Sequence, residues 1–394
     1  MQKIGILLLG LVISLGSFAQ QIDHNGENTA ERMINENSSK VQIGGYGQID
    51  YNQPLTKDVH DNGTLDVHRL VMLFGYHFSS KTSFVTELEF EHVKEVYVEQ
   101  AFINHRFNQY FNLKAGLILV PMGIINEYHE PTTFNGVERP NLDKNIVPTT
   151  WREIGAGFTG RIDEISLKYQ AYVMNGFNGY AEGTGKFRSK DALRKGRQKG
   201  AESFMSSPSL SAKVDWYGLK GLRVGLSGYS GKSQSDLFDG LDMNDNAAMT
   251  QADSSVVGVN MVGLDARYQI KGFQFRGQYI LANISNTDQY NTLTGKDMGS
   301  QIGGYYAEIG YNVLNSFETE YEFTPFVRYE KYNTQMAMAG DAVANDVNNK
   351  SEIVVGFGWK LAKGAVLKAD YQLTKTAASD DYTKQINFGV GIWF

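Results

Sequence analysis

The stretch Gln385-Ile-Asn-Phe-Gly-Val-Gly-Ile-Trp-Phe394 decides the fold of this chain. Ile386, Phe388, Val390, Ile392 and Phe394 fall on one face, with Gln385, Asn387, Gly389 and Gly391 on the other. A period of two marks a strand whose faces meet different surroundings. The pattern repeats upstream. Ile165, Leu167, Tyr169, Ala171 and Val173 oppose Ser166, Lys168 and Gln170. Ala365, Leu367, Ala369, Tyr371 and Leu373 oppose Lys368, Asp370, Gln372 and Thr374.

Extended along the chain, the alternation predicts sixteen strands, at 41–51, 66–78, 83–93, 95–106, 111–121, 151–162, 165–175, 210–217, 222–230, 256–270, 273–284, 302–313, 320–332, 351–361, 365–375 and 384–394. Most approach the roughly nine to eleven residues of a tilted membrane strand. Connections alternate in length. Short ones such as 79–82, 163–164, 218–221, 271–272 and 362–364 are followed by long polar loops at 52–65, 122–150, 176–209, 231–255, 285–301 and 333–350. The pattern wants a long loop near 93–95 and finds none. The fold class expected is all-β: a transmembrane antiparallel barrel of about sixteen strands, with short periplasmic turns and long external loops. A soluble sandwich or propeller demands neither the two classes of connection nor an aromatic last residue on the apolar face.

The start of the chain agrees with export. Lys3 precedes an apolar run from Ile4 to Leu15, and Ser17-Phe18-Ala19 offers small residues for signal peptidase. Residues 1–19 are thus expected to be a signal peptide, 20–40 a flexible periplasmic extension with room for one helical turn around Thr29 to Asn35, and 41–394 the barrel. Past residue 19 no apolar run approaches the ~18–20 residues of a membrane helix, so a spanning chain must close its backbone hydrogen bonds in a barrel. The 42 glycines, 22 tyrosines and 22 phenylalanines suit tight turns and aromatic girdles. There is no cysteine, which excludes disulfide scaffolds and thiolate chemistry. The net charge of −6 speaks against nucleic acid as a partner.

Residues opposite the apolar face are expected to line a lumen. Strand phase places Arg69, Arg161, Lys168, Arg223, Arg267, Arg276, Arg328 and Lys368 there, together with Glu87, Glu89, Glu91, Glu153, Asp265, Glu308, Glu330 and Asp370. Arginines in a narrow passage can replace part of an anion's hydration with charge-assisted hydrogen bonds. The acidic row Glu87, Glu89 and Glu91 has another use, pairing with bases on neighbouring strands to stiffen the wall. The 176–209 loop is the most basic segment, carrying Lys186, Arg188, Lys190, Arg194, Lys195, Arg197 and Lys199. It suits a funnel that concentrates anions, a face toward lipopolysaccharide phosphates, or a merely solvated face.

Enzyme and cofactor signals are absent. Gly231-Lys232-Ser233 ends like a P-loop, but Leu226 stands where its first glycine belongs. Gly225-Leu-Ser-Gly is no nucleophile elbow, and Pro131 follows His129-Glu130, so no zinc-protease helix forms there. Asp236, Asp239, Asp242, Asn244, Asp245 and Asn246 could hold calcium but lack the EF-hand glycine and glutamate spacing, which favours a solvated loop. No cofactor and no catalytic residue is expected.

Several segments carry a family likeness: Leu113-Lys-Ala-Gly-Leu-Ile-Leu-Val-Pro-Met-Gly123, Pro148-Thr-Thr-Trp-Arg-Glu-Ile-Gly155, Ser189-Lys-Asp-Ala-Leu-Arg-Lys-Gly-Arg-Gln-Lys-Gly200, Phe323-Thr-Pro-Phe-Val-Arg-Tyr-Glu330 and Gly389-Val-Gly-Ile-Trp-Phe394. In these the chain resembles the phosphate-selective porin O and P family, in the branch with bacteroidetes-type signal sequences, over about residues 41–394. The resemblance implies a sixteen-stranded outer-membrane porin, a homotrimer, whose lumen passes small anions past arginines and lysines. It also implies that barrel-assembly machinery reads the terminal aromatic strand. The lumen acids depart from that basic pattern. In such porins a loop folded into the lumen sets the narrowest point, and Pro121, Pro131, Pro140 and Pro148 stiffen the loop from Pro121 to Thr150 for this role. Glu138, Arg139 and Lys144 would then meet the solute. The same loop could instead pack on the rim or latch to a neighbouring protomer. A structural or adhesive barrel without an open channel is the other function considered.

Overall fold

The structure, a computed structural model, describes residues 27–35 and 39–394. The expected signal peptide at 1–19 lies outside the described residues. The strands are β1 (Val41–Pro54), β2 (Thr64–His77), β3 (Thr82–Glu91), β4 (Glu95–Arg106), β5 (Asn112–Leu119), β6 (Arg152–Ile162), β7 (Leu167–Met174), β8 (Asn178–Ala181), β9 (Thr184–Gly185), β10 (Ser209–Trp216), β11 (Leu222–Lys232), β12 (Gln234–Ser235), β13 (Gly258–Ile270), β14 (Phe273–Ser285), β15 (Gln301–Tyr311), β16 (Glu322–Ala337), β17 (Asn349–Ala362), β18 (Ala365–Thr376) and β19 (Thr383–Trp393). All except β8, β9 and β12 close into one antiparallel barrel of sixteen strands, and those three form a small sheet among the loops. The sixteen predicted strands match the barrel strands within a few residues.

Closure depends on the C-terminal stretch from Gln385 to Phe394. β19 pairs with β1 from Tyr46↔Trp393 to Pro54↔Gln385. The Phe394 backbone extends the ladder, its N–H donating to Gly45 O and its carbonyl accepting from Gly45 N, both at 2.9 Å. A Cβ at residue 45 would stand 2.7 Å from the Phe394 ring and 2.6 Å from Val71 O, so glycine is required where the last ring crosses β1.

The two faces of the wall sort as the period demands. In β10, Ser209, Ser211, Lys213 and Asp215 point inward and are buried, while Leu210, Ala212, Val214 and Trp216 point outward. Around the barrel Ile43, Leu226, Leu264, Ile309 and Phe388 are about half exposed or more, which marks the outer face as the one that meets lipid.

Short turns collect at one end, including 78–81, 163–166 and 271–272, with the long connections at the other. The exception foreseen near 93–95 is real. His92 and Val93 turn β3 into β4 through left-handed backbone, φ 54° and 66°, leaving a notch in the long-loop rim.

Within the expected flexible extension, the described part is packed. Thr29–Asn35 is a helix with Ala30 and Met33 buried. The Arg32 guanidinium lies 4.4 Å from the Trp393 ring centroid, Glu31 pairs with Lys168, and Thr29 donates to Glu130. This helix thus sits inside the short-turn mouth, because its apolar stripe finds the lumen wall. Burial and the positive Lys168 act on Glu31 in opposite senses, and the lysine wins, holding the carboxyl below its ordinary range.

Candidate functional site

The 120–151 connection enters the lumen from β5 and leaves it into β6. Its neck is tied by Asn126, whose Nδ2 donates to Val120 O (2.7 Å) and Trp151 O (2.9 Å) while Oδ1 accepts from Trp151 N (2.7 Å). From there the loop touches wall after wall. Ile124 N donates to Gln278 on β14, Glu127 accepts from Lys213 on β10, and Val137 N donates to Asp370 on β18. Asn141 N and Leu142 N donate to Glu330 on β16, eight strands around the ring from β5. Lys368 donates to Phe134 O and Gly136 O. Of the placements left open by the sequence, lumen, rim or a neighbouring protomer, the loop takes the luminal one. A polar backbone buried this deeply needs partners, and the inward charges of the wall supply them.

A second layer covers the first. Trp151 stacks on Phe177 at 4.5 Å between ring centroids and packs against Tyr229 at 4.7 Å, while Phe187 meets Tyr290 at 5.8 Å. These rings draw the 176–209 loop down over the barrel. Arg197 Nη1 then donates to Pro148 O (3.0 Å) and Thr150 O (3.1 Å), and Arg194 donates to Thr149 O.

At this junction lies a small cavity lined by Arg69, Arg139, Arg152, Arg194, Arg197 and Lys199 together with Glu89, Glu91, Tyr97, Thr149 and Thr150. The notch at His92–Lys94 adjoins it: Lys199 reaches over the rim to within 4.4 Å of the Tyr97 ring centroid. Six cations face two acids. Burial and neighbouring guanidinium groups push Arg139 down to about 10, and burial with Arg197 and Arg152 pushes Lys199 down to about 8. Arg197 is lowered by burial and by Arg194. The Nε–H groups of Arg69, Arg139 and Arg152 are buried without a hydrogen-bond partner, a costly arrangement unless an acceptor arrives.

The predicted residues divide among three settings. Arg69, Glu89, Glu91, Arg139, Arg194, Arg197 and Lys199 share the cavity. Others bind the wall to itself or to the loop. Arg276 lies 3.1 Å from Glu308, and Arg328 lies 3.6 Å from Glu308 and 3.8 Å from Glu352. Arg223 donates to the Tyr128 hydroxyl, Arg267 stacks 4.0 Å from the Tyr128 ring centroid, Arg161 pairs with Glu27, and Glu138 accepts from Asn52. Lys144, Lys190 and Lys195 are exposed and stand outside the cavity lining. Glu87 faces His129, Glu99 and Tyr46.

Strand phase missed Arg152 and Glu99. Arg152 opens β6 beneath the loops, where both faces of the strand are covered and alternation carries no information. Glu99 is the extra residue of a β-bulge: Glu87 pairs with Gln100 and Leu88 with Val98, so Glu99 and Gln100 both turn inward. Burial disfavours charge on His129, but Glu99 and Glu87 overcome it and hold the imidazole up at about 10. Burial opposes ionisation of Glu127 as well, yet Lys213 and Lys168 bring it down to about 2. The acidic 236–246 loop spends its carboxylates locally. Asp242 accepts from Asn244, and Asp245 caps the helix Asn246–Ser254 through Ala247 N and Ala248 N.

Solved structures with this fold are outer-membrane proteins. The chain is similar to the outer-membrane channel DcaP of Acinetobacter baumannii (TM-score 0.57, 12% identity, 90% of this chain and 97% of that one). It is similar to Salmonella typhi OmpF, solved in complex with daunomycin (TM-score 0.58, 12% identity, 90% and 97%). A third likeness is to an anion-selective porin from Comamonas acidovorans (TM-score 0.51, 11% identity, 90% and 99%). No protein-family model matches the chain. In sequence, an uncharacterized protein of Aquifex aeolicus (strain VF5) is 31% identical over 349 residues, 84% of this chain and 75% of that protein. The chain therefore belongs to one family with the Aquifex aeolicus protein, and it carries the sixteen-stranded barrel of the outer-membrane porins.

Proposed function

We propose that the protein is an outer-membrane channel for passive diffusion of small hydrophilic solutes, with anions, phosphate among them, preferred. One observation carries this reading: six basic side chains converge on a single cavity where the luminal loop meets the external loop, and three of their N–H groups await acceptors. An anion passing there exchanges water for charge-assisted hydrogen bonds. Glu89 and Glu91 opposite keep the passage from trapping it. The resemblance adds phosphate as a solute and a homotrimer as the assembly, with Phe394 read by barrel-assembly machinery. Exposed Lys190 and Lys195 suit lipopolysaccharide phosphates on the outer rim.

A second reading, a structural or adhesive barrel that does not conduct, draws on a specific observation as well. The loop crosses the lumen to the far wall, and the helix Thr29–Asn35 occupies the opposite mouth. Planar bilayers under a salt gradient separate the two. The channel reading expects stepwise currents with a reversal potential of anion-selective sign. A reversal of cation-selective sign removes the anion preference, and a silent bilayer with folded protein favours the non-conducting barrel.

A further inference from the structure

We infer that Glu87, Glu99 and His129 form a site for one divalent transition-metal ion of the zinc type, fastening the luminal loop to the barrel wall. The three come from three elements, β3, the β4 bulge and the loop, and all are buried at 3% exposure or less. Their ligand atoms lie within 4.8 Å of one another. His129 Nδ1 is 3.3 Å from Asn126 O, the contact by which a metal-binding imidazole is commonly oriented. With Nδ1 so engaged, Nε2 faces both carboxylates, and a metal ion between them would take the place of the ring proton.

The spacing favours a metal ion over a shared proton. Nε2 stands 3.3 Å from Glu87 Oε1 and 3.5 Å from Glu99 Oε2. Charge-assisted N–H···O bonds close to about 2.7–2.9 Å. Ligands about 2.0–2.1 Å from a tetrahedral zinc ion are separated by about 3.3–3.4 Å, close to the two imidazole–carboxylate separations of 3.3 Å and 3.5 Å. The surroundings are built for the carboxylates: the Tyr46 hydroxyl donates to Glu87 Oε1 at 2.6 Å, and Gln100 Nε2 donates to Glu87 Oε2 at 2.7 Å. Glu99 offers Oε2 to the ion, and its Oε1, on a residue with 0% exposure, has no hydrogen-bond partner and is free for a second contact with the same ion. Two carboxylates and a neutral imidazole balance a divalent charge. The nearby guanidinium groups have partners of their own, Arg69 with Glu89, Arg139 with His129 O and Arg152 with Thr150, and with N–H groups still unpaired they temper the affinity without filling the site. The histidine–carboxylate trio Asp50, His68 and Glu138 differs. His68 Nδ1 is 3.0 Å from Asp50, an ordinary hydrogen-bond length, and Glu138 is held by Asn52.

The test uses full-length protein folded in detergent, stripped with chelator and titrated with Zn²⁺ by calorimetry, then loaded with Co²⁺ for absorption. One equivalent of Zn²⁺ is expected, with the intense visible bands of tetrahedral cobalt. Glu99→Gln and His129→Asn should each weaken binding at least about 100-fold, in line with the loss of a direct ligand, while His68→Ala keeps the equivalent. Wild-type protein that binds no stoichiometric Zn²⁺, or a His129→Asn variant that binds as wild type does, overturns the proposal. Should the variants fail to fold, the wild-type cobalt spectrum decides, since six-coordinate or absent bands also overturn it.

Discussion

On the β14–β17 wall, Glu308 lies between Arg276 and Arg328, and Arg328 lies between Glu308 and Glu352, each arginine within 4 Å of a carboxylate. Across the lumen, Arg69, Arg139, Arg152, Arg194, Arg197 and Lys199 crowd around one cavity with only Glu89 and Glu91 in the lining. The residue types are the same and their energetics differ. Paired charges on adjacent strands neutralise one another, so their field is short-ranged and their role is to hold the wall. Burial first, and then repulsion from neighbouring cations, lowers Arg139 and Lys199, and stability is given up for a standing positive potential. Lumen charge is therefore informative only when its partners are known.

The comparison can be broken at its paired side first. Arg328→Ala leaves Glu308 and Glu352 buried without their shared cation and should cost about 3–5 kcal/mol, read as a lower urea midpoint in detergent. A loss near zero would show that the wall charges are as loosely held as the cavity's. On the crowded side, the double variant Arg152→Ala/Arg197→Ala should fold like wild type and reduce the anion-to-cation permeability ratio about tenfold. An unchanged ratio sinks the cavity as the selectivity element.

A finer test is pH. Lys199, pushed down to about 8, is charged below that pH and neutral above it. Raising pH from about 7 to 9 should therefore lower the permeability ratio about twofold, one cation of six being lost. Lys199→Met should start at the reduced ratio and stay flat across this window. A wild-type ratio that rises with pH contradicts the sign. The smallest effect is expected outside both walls. Asp245→Ala removes the cap of the external helix and should cost that helix about 1 kcal/mol, visible in amide exchange, with currents unaltered.

How legible the site was depended on the backbone beneath each residue. Arg69, Glu89 and Arg276 lie in regular strands, so alternate positions revealed their inward face. Arg194, Arg197 and Lys199 were visible only as a basic run; nothing local distinguished them from Lys190 and Lys195, which stand outside the cavity. Trp151, Phe177 and Tyr290 make that difference by folding the loop, and their meeting joins segments up to about 140 residues apart. Arg152 escaped because its strand begins under cover on both sides. Glu99 escaped because a bulge shifts the register by one, and a one-residue shift reverses every inference from period two.

The sequence by itself determined the barrel: sixteen alternating segments, an even count, two classes of connection and the aromatic end at Phe394 leave the backbone one way to satisfy its hydrogen bonds in lipid. Tertiary structure alone decided what fills the lumen. A loop carries no period, so its course depends on which buried partners its N–H and C=O groups find, and here Asn126, Gln278, Asp370 and Glu330 draw it across the barrel. Those partners lie on distant strands, brought within reach only once β19 has paired with β1.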